Sequence, residues 1–204
     1  MSAGANRHGR AKTGRASRGE QVIRAATELF YDKGYDATSV QDIADAVGLL
    51  KGSLYYYFEA KEDLLFEILQ RVHAGLTTAV ADALDGHEDP VDRLRVFLTT
   101  HTEFLSKNTV EIAVFFNDFR SLTGDRRAAI LKARDSYEAM LVEILHGGQK
   151  DGAFASETDP RVAAKGIFGM VNWMHQWYVP GGALTAAAVA ESYERMITSG
   201  LIPR

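Results

Sequence analysis

The chain has 204 residues, 46% of them apolar, and a net charge of −4, which suits one large domain or a small module joined to a larger one. It contains no cysteine, which excludes disulfides and thiolate metal sites. No apolar run has the length of a membrane span and the N-terminus is polar, so the expected protein is soluble and cytoplasmic, with no membrane partner.

Residues 1–19 hold Arg7, Arg10, Lys12, Arg15 and Arg18, no acid, and glycines at 4, 9, 14 and 19. Without apolar periodicity, residues 1–17 read as a flexible basic arm: either a solvated leader or a segment that meets phosphates or a minor groove. Beyond it nearly every stretch has helical period and none alternates as a strand would. The expected fold is all-α, with about nine helices. Val22, Ile23, Ala26, Leu29 and Phe30 form a first stripe, closed by Gly34 as a C-terminal cap. Thr38 with Gln41 makes a capping-box pattern that opens a second, short helix ending at Gly48. A third short helix carries Tyr55, Tyr56 and Tyr57. A long fourth helix starts near Lys61 and reaches about Leu84.

Pro90 opens the next helix, with Leu94, Phe97, Leu98, His101, Phe104 and Leu105 on its apolar face. The apolar VEIAVFFNDF follows, then an amphipathic helix over residues 125–146, interrupted by GGQKDGAF. Asp159-Pro160 starts another helix, which VPGG at 179–182 stops. A final helix runs from about Thr185 to Gly200.

Three tyrosines in a row cannot all face one core, because a helix turns about 100° per residue. Leu54 and Phe58 share the buried face; Tyr56 points away from it, and Tyr55 and Tyr57 flank it. Two short helices joined by a glycine-containing turn, the second presenting polar groups outward, make a helix-turn-helix pattern. Lys51 offers a charge to a phosphate or to guanine, and Gly52 lets the backbone approach closely. Ser53 and the phenols can donate to phosphate oxygens or touch thymine methyls.

The segment TSVQDIADAVGLLKGSLYYYFEAKEDLL resembles the DNA-binding signature of the tetracycline-repressor (TetR) family of bacterial transcriptional regulators. The resemblance implies a homodimer that binds double-stranded operator DNA, with a DNA-binding domain at 18–62 and a ligand-binding and dimerisation domain at 63–204. By position it implies DNA contacts from Thr38, Ser39, Gln41, Lys51, Gly52, Ser53, Tyr55, Tyr56, Tyr57 and Lys61. Lys61 would hold a phosphate at the start of the fourth helix, and that helix would couple the two domains. The family commonly has serine where this chain has Leu50, so a side-chain cap is missing at the recognition helix.

In the second part, Gly166, Met170, Trp173 and Trp177 lie along one side of a helix, and Ile167, Val171, Met174 and Tyr178 along another. A helix so broadly apolar needs cover from two directions, its own domain and a second subunit. With the last helix it would form a dimeric four-helix bundle. Phe104, Phe115, Phe116, Phe119, Trp173 and Trp177 are candidates either for core or for a ligand cavity. Arg120, read as a buried cation, invites an acidic group. The stretch NWMHQWYVPGG resembles the C-terminal domains of relatives that respond to acyl-coenzyme A thioesters or lipid-like acids. A small hydrophobic or acidic effector is therefore expected, with drugs and aromatic acids as alternatives.

Motifs for nucleophilic, phosphate-binding or zinc chemistry are missing. The six histidines have no metal spacing, and His101 reads as a satisfied core histidine. No catalytic residue, cofactor or metal is expected. A helical protein–protein adaptor is the rival reading; it would have no use for the tyrosine face.

Overall fold

A computed structural model describes residues 10–201, with side-chain surroundings from residue 18 onward. Among these residues there are ten α-helices and one 3-10 turn, and no strand. The helices are α1 (Arg10–Lys33), α2 (Val40–Ala46), α3 (Lys51–Leu54), α4 (Lys61–Leu84), α5 (Pro90–Lys107), α6 (Thr109–Asp118), α7 (Gly124–Lys150), α8 (Pro160–Asn172), α9 (Met174–Trp177) and α10 (Ala186–Leu201). No helix of this set is long and apolar enough to cross a membrane. The all-α expectation holds. Helix α1 begins at Arg10, so the second half of the segment expected to be a flexible arm continues this helix. Residues 1–9, with Arg7, lie outside the described residues.

The N-terminal unit is built on Val22, Ala26 and Phe30 of α1, packed against Ile43 and Ala44 of α2, Leu54 and Phe58, and Leu64 and Leu65 of α4. Gly34 ends α1 at φ +83°, where a side chain would be strained. Helix α4 then runs from the N-terminal unit into the larger one. Its buried Ile68, Leu69, Val72, Leu76 and Val80 face the larger unit, where α5, α6 and α7 pack around it. Its first turn is held by Asp63, whose carboxylate accepts from the amides of Glu59 at 3.0 Å and Ala60 at 2.7 Å. Asp63 and Glu62 also pair with Arg126 of α7. Asp63 thus caps the helix, as its first-turn position suggests, while Glu62 accepts from the Thr123 amide at 2.7 Å at the start of α7.

Two helices depart from expectation for local reasons. Helix α7 does not stop before the GG pair but continues to Lys150. A Cβ on Gly148 would lie 2.1 Å from the ring of Phe154, which folds back and is buried there. The glycine makes room for a ring and does not break the helix. The helix expected after Pro160 is broken at Trp173. The Asn172 carbonyl, which the Gln176 amide would take in a continuous helix, is taken by His175 Nδ1 at 2.6 Å; that amide turns to Trp173 instead, at 3.0 Å.

Ile167, Val171 and Met174 are buried, while Val162, Gly166, Gly169, Trp173 and Trp177 are exposed along the opposite side. Helix α10 packs chiefly on α5 through Val189, Ala190, Ile197 and Thr198, leaving Met196 exposed.

Candidate nucleic-acid interface and effector cavity

The start of α2 is set one residue later than the sequence pattern suggests. Ser39 is the N-cap: its hydroxyl accepts from the Asp42 amide at 3.1 Å, and Asp42 accepts from the Ser39 amide at 2.8 Å. Hydrogen bonds from Ser39 and Lys33 hold the Asp42 carboxyl well below the usual range. Thr38 is 1% exposed, and its hydroxyl faces the carbonyls of Gly34 at 2.8 Å and Leu29 at 3.2 Å. A buried, internally bonded threonine cannot meet a DNA backbone, so Thr38 leaves the set of contacts. Its neighbour Ser39 remains exposed, as does Gln41, which donates to Asp45 at 2.8 Å.

The turn from α2 to α3 places Gly48 at φ +65°. Arg18 of α1 donates to the Val47 carbonyl at 3.0 Å and to Gln21 at 2.7 Å, so this cation of the basic segment braces the turn. Helix α3 is one turn, Lys51–Leu54, and begins at Leu50 without a side-chain cap. The tyrosines lie just past it. Tyr55 is the C-cap, and the Tyr57 amide bonds back to Leu54 with a tightened, three-residue spacing. Tyr56 is 67% and Tyr55 48% exposed, whereas Tyr57 is half-buried near Gly19 of α1. Lys51, Gly52 and Ser53 are exposed, and nothing lies within 4 Å of where a Cβ on Gly52 would stand. The outward surface is therefore Leu50, Lys51, Gly52, Ser53, Tyr55 and Tyr56, with Tyr57 partly withdrawn.

Lys61 is engaged differently from the phosphate-holding role expected of it. Its ammonium donates to the carbonyls of Tyr35 at 2.7 Å and Thr38 at 2.8 Å, and sits 4.1 Å from the centre of the Tyr35 ring. Two of its three protons thus pin the α1–α2 turn to α4. Tyr35 is held from the other side as well, its amide donating to Asp118 at the end of α6 at 3.3 Å. Burial pushes the Asp118 carboxyl up, and this bond partly offsets it.

Behind α4 lies a cavity of about 240 Å3. Val72, His73 and Leu76 of α4, His101 and Leu105 of α5, Ile112, Phe115 and Phe116 of α6, and Tyr137 of α7 wall it. Phe168 and Asn172 of α8 complete the wall; at its rim Arg134 and Lys165 are matched by Asp135 and Glu138, and Lys165 donates to Glu138 at 2.8 Å. His101 Nδ1 lies 2.8 Å from the Tyr137 hydroxyl and Nε2 3.0 Å from Asn172 Oδ1. With that oxygen as acceptor, Nε2 donates and Nδ1 accepts the phenol proton, which fixes a neutral imidazole. Burial lowers the His101 pKa to about 4, against the bond it donates to Asn172, and burial raises that of Tyr137. His73, stacked on Phe115, is lowered by burial and by Arg134. The lining combines aromatic and aliphatic side chains with an uncharged His101–Tyr137–Asn172 cluster and a charged rim, suited to holding a ligand.

Of the seven residues named as ligand candidates, Phe115 and Phe116 line this cavity. Phe104 packs on Gly75 and borders a separate groove between α1 and α4. Phe119 stacks on Phe115 and lies under the guanidinium groups of Arg127 and Arg134, outside the lining. Arg120 is exposed on the 3-10 turn after α6, so it is not the buried cation expected. Trp173 is 62% exposed and Trp177 also faces outward, both on the uncovered side of the broken helix. The sequence reading missed His73, Arg134, Tyr137, Phe168 and Asn172. His101 is both the satisfied histidine expected and part of the cavity wall. Polar residues set into apolar helix faces were the signal that marked this group.

The model of the N-terminal domain of bacterial regulatory proteins of the tetR family matches residues 22–68, and a tetracyclin repressor-like C-terminal domain matches residues 87–201. The chain is 30% identical over 190 residues to the HTH-type transcriptional repressor KstR2 of Rhodococcus jostii, covering 93% of each. Among solved structures, the TetR family regulator PfmR of Thermus thermophilus is 35% identical with a TM-score of 0.81, covering 89% of this chain and 99% of that one. AibR, solved in complex with isovaleryl coenzyme A and operator DNA, is 29% identical with a TM-score of 0.81, covering 88% of this chain and 97% of that one. Domain models along most of the sequence, the exposed helix-turn-helix and the all-helical fold agree: the chain belongs to the tetR family of bacterial regulatory proteins, which regulate transcription and are not enzymes.

Proposed function

We propose that this protein is a homodimeric repressor, working in the cytoplasm, that leaves its operator when a small, largely apolar effector with an acidic or acyl-thioester group fills the cavity behind α4. The observation that carries this reading is the cavity itself: rich in aromatic side chains and walled in part by the helix whose first residue pins the DNA-binding unit. Its volume of about 240 Å3 is below the roughly 300–1,000 Å3 of pockets for drug-sized ligands. That favours a short acyl group inside with its carrier outside. The AibR complex supports this class, since that relative holds isovaleryl coenzyme A. Arg134 takes the role first given to Arg120, as the cation beside an acidic group. Ser39, Gln41, Lys51, Gly52, Ser53, Tyr55 and Tyr56 face the DNA, while Thr38 and Lys61 support that face from behind. The uncovered side of α8 with Met196 of α10 supports pairing of two subunits into a four-helix bundle.

The test is competition. A duplex enriched from a random pool by the purified protein is titrated with isovaleryl coenzyme A and other short acyl thioesters, read by fluorescence anisotropy. Release of the duplex is expected, with Arg134→Ala shifting the midpoint to higher ligand and Arg120→Ala leaving it in place. No release by any thioester, with sequence-specific binding intact, overturns the ligand class.

A further inference from the structure

Leu50 is 80% exposed, the most exposed of the large apolar side chains described. It is the N-cap of α3, a position where serine, threonine, aspartate or asparagine would satisfy a free amide, and it makes no side-chain cap bond. The fold has no evident need of it. The neighbouring Leu49 does the packing, half-buried against the core with its amide bonded to the Ala44 carbonyl at 2.9 Å. Leu50 enters the helix only through its backbone oxygen, which accepts from the Ser53 amide at 2.8 Å. A cap has been given up and an apolar side chain left in water, beside Lys51, Gly52 and Ser53, all exposed.

The first residues of a recognition helix are those that reach base edges in the major groove. The apolar feature there is the C5-methyl of thymine; the other edges offer donors and acceptors. We propose that Leu50 is a specificity-determining residue, reading a thymine methyl at one position of each half-site. This inference rests on the DNA-binding reading of α2 and α3. Phosphate and sugar contacts carry no sequence information, so the proposal concerns which base is chosen and not how firmly DNA is held.

The full chain is first used to enrich duplexes from a random pool, giving a consensus half-site. Each thymine of one half-site is then replaced singly by deoxyuridine, which removes only the methyl. One replacement is expected to weaken binding about fourfold, the worth of a single buried methyl. Leu50→Ala should bind the thymine and deoxyuridine duplexes equally, with an unchanged Tm because the side chain is 80% exposed. Lys51→Ala should bind all duplexes more weakly yet keep the fourfold preference. Leu50→Ser, which restores a cap, should raise Tm and also lose the preference. If no thymine is sensitive, or if Leu50→Ala keeps the sensitivity, the proposal is overturned while DNA binding stands. A pool that fails to enrich removes both.

Discussion

Replacing Lys61 by methionine separates a structural staple from a phosphate contact. Methionine keeps an unbranched stem over the Tyr35 ring and removes only the ammonium. The loss is two hydrogen bonds from a charged donor, to the carbonyls of Tyr35 and Thr38 at 2.7 and 2.8 Å, together with the ammonium's contact with the Tyr35 ring. Bonds of this kind contribute about 1.5–3 kcal/mol each when well shielded. Lys61 is only half-buried, so solvent screening reduces that figure, and about 2–3 kcal/mol for the pair is expected. For a chain of this size that corresponds to a fall in Tm of about 4–12 °C. Thermal unfolding measures the first effect. Operator affinity across a salt series measures the second, since a lost phosphate contact lowers the slope of log K against log salt by about one unit. The staple predicts a lower Tm with an unchanged slope, and Lys51→Met the reverse: unchanged Tm, weaker binding. An unchanged Tm for Lys61→Met together with a slope reduced by one unit would refute the reasoning. A fall in both would give the third ammonium proton to a phosphate.

His101 makes stability depend on pH. Its pKa is about 4 in the fold and about 6.5 in an unfolded chain, so the unfolded state binds the extra proton between these values. Stability is therefore fully present above about pH 6.5 and is lost as pH falls toward 4, by about 2 kcal/mol between pH 7 and 5. Denaturant unfolding at the two pH values should show this loss, and His101→Gln should reduce it; equal pH dependence in both proteins contradicts the assignment. Gly148→Ala should change sign with its background. A Cβ 2.1 Å from the Phe154 ring should cost about 1–3 kcal/mol by overpacking, outweighing a helix-propensity gain of about 1 kcal/mol. In a Phe154→Ala background the ring is gone and the same substitution should stabilise; destabilisation in both backgrounds would show that Phe154 is not the cause.

The DNA-binding half was legible because its surface conflicts with helical burial. Tyr56 cannot share a face with Leu54 and Phe58, and it is exposed in the structure. The errors there were tertiary. Whether Thr38 or Ser39 caps α2 depends on the carbonyls of Leu29 and Gly34, which take the Thr38 hydroxyl. Whether Lys61 meets a phosphate depends on the turn containing Tyr35, 26 residues earlier. The cavity was much less legible. An aromatic ring has the same helical spacing whether it lines a void or fills a core, so Phe104, Phe115 and Phe119 were indistinguishable until packed. Arg120 and Arg134 are both exposed cations; only the phase of α7 brings the second to the rim of the cavity, while the 3-10 turn keeps the first away from it. The break at Trp173 required His175 to be seen claiming the Asn172 carbonyl.

The grip on Tyr35 bears on how far a signal has to travel. Phe116 touches the cavity and Asp118 holds the Tyr35 amide, and these two residues are separated by about 3 Å of helical rise. Receptor and lever are thus almost consecutive on one short helix, within a single turn. The long route down α4, from Val72 back to Lys61, ends on the same residue from the opposite side. On the effector reading proposed above, Tyr35 would be a junction with two inputs, one short and one long. Both act on the turn that leads directly into Thr38 and the Ser39 cap, upstream of every side chain on the recognition face.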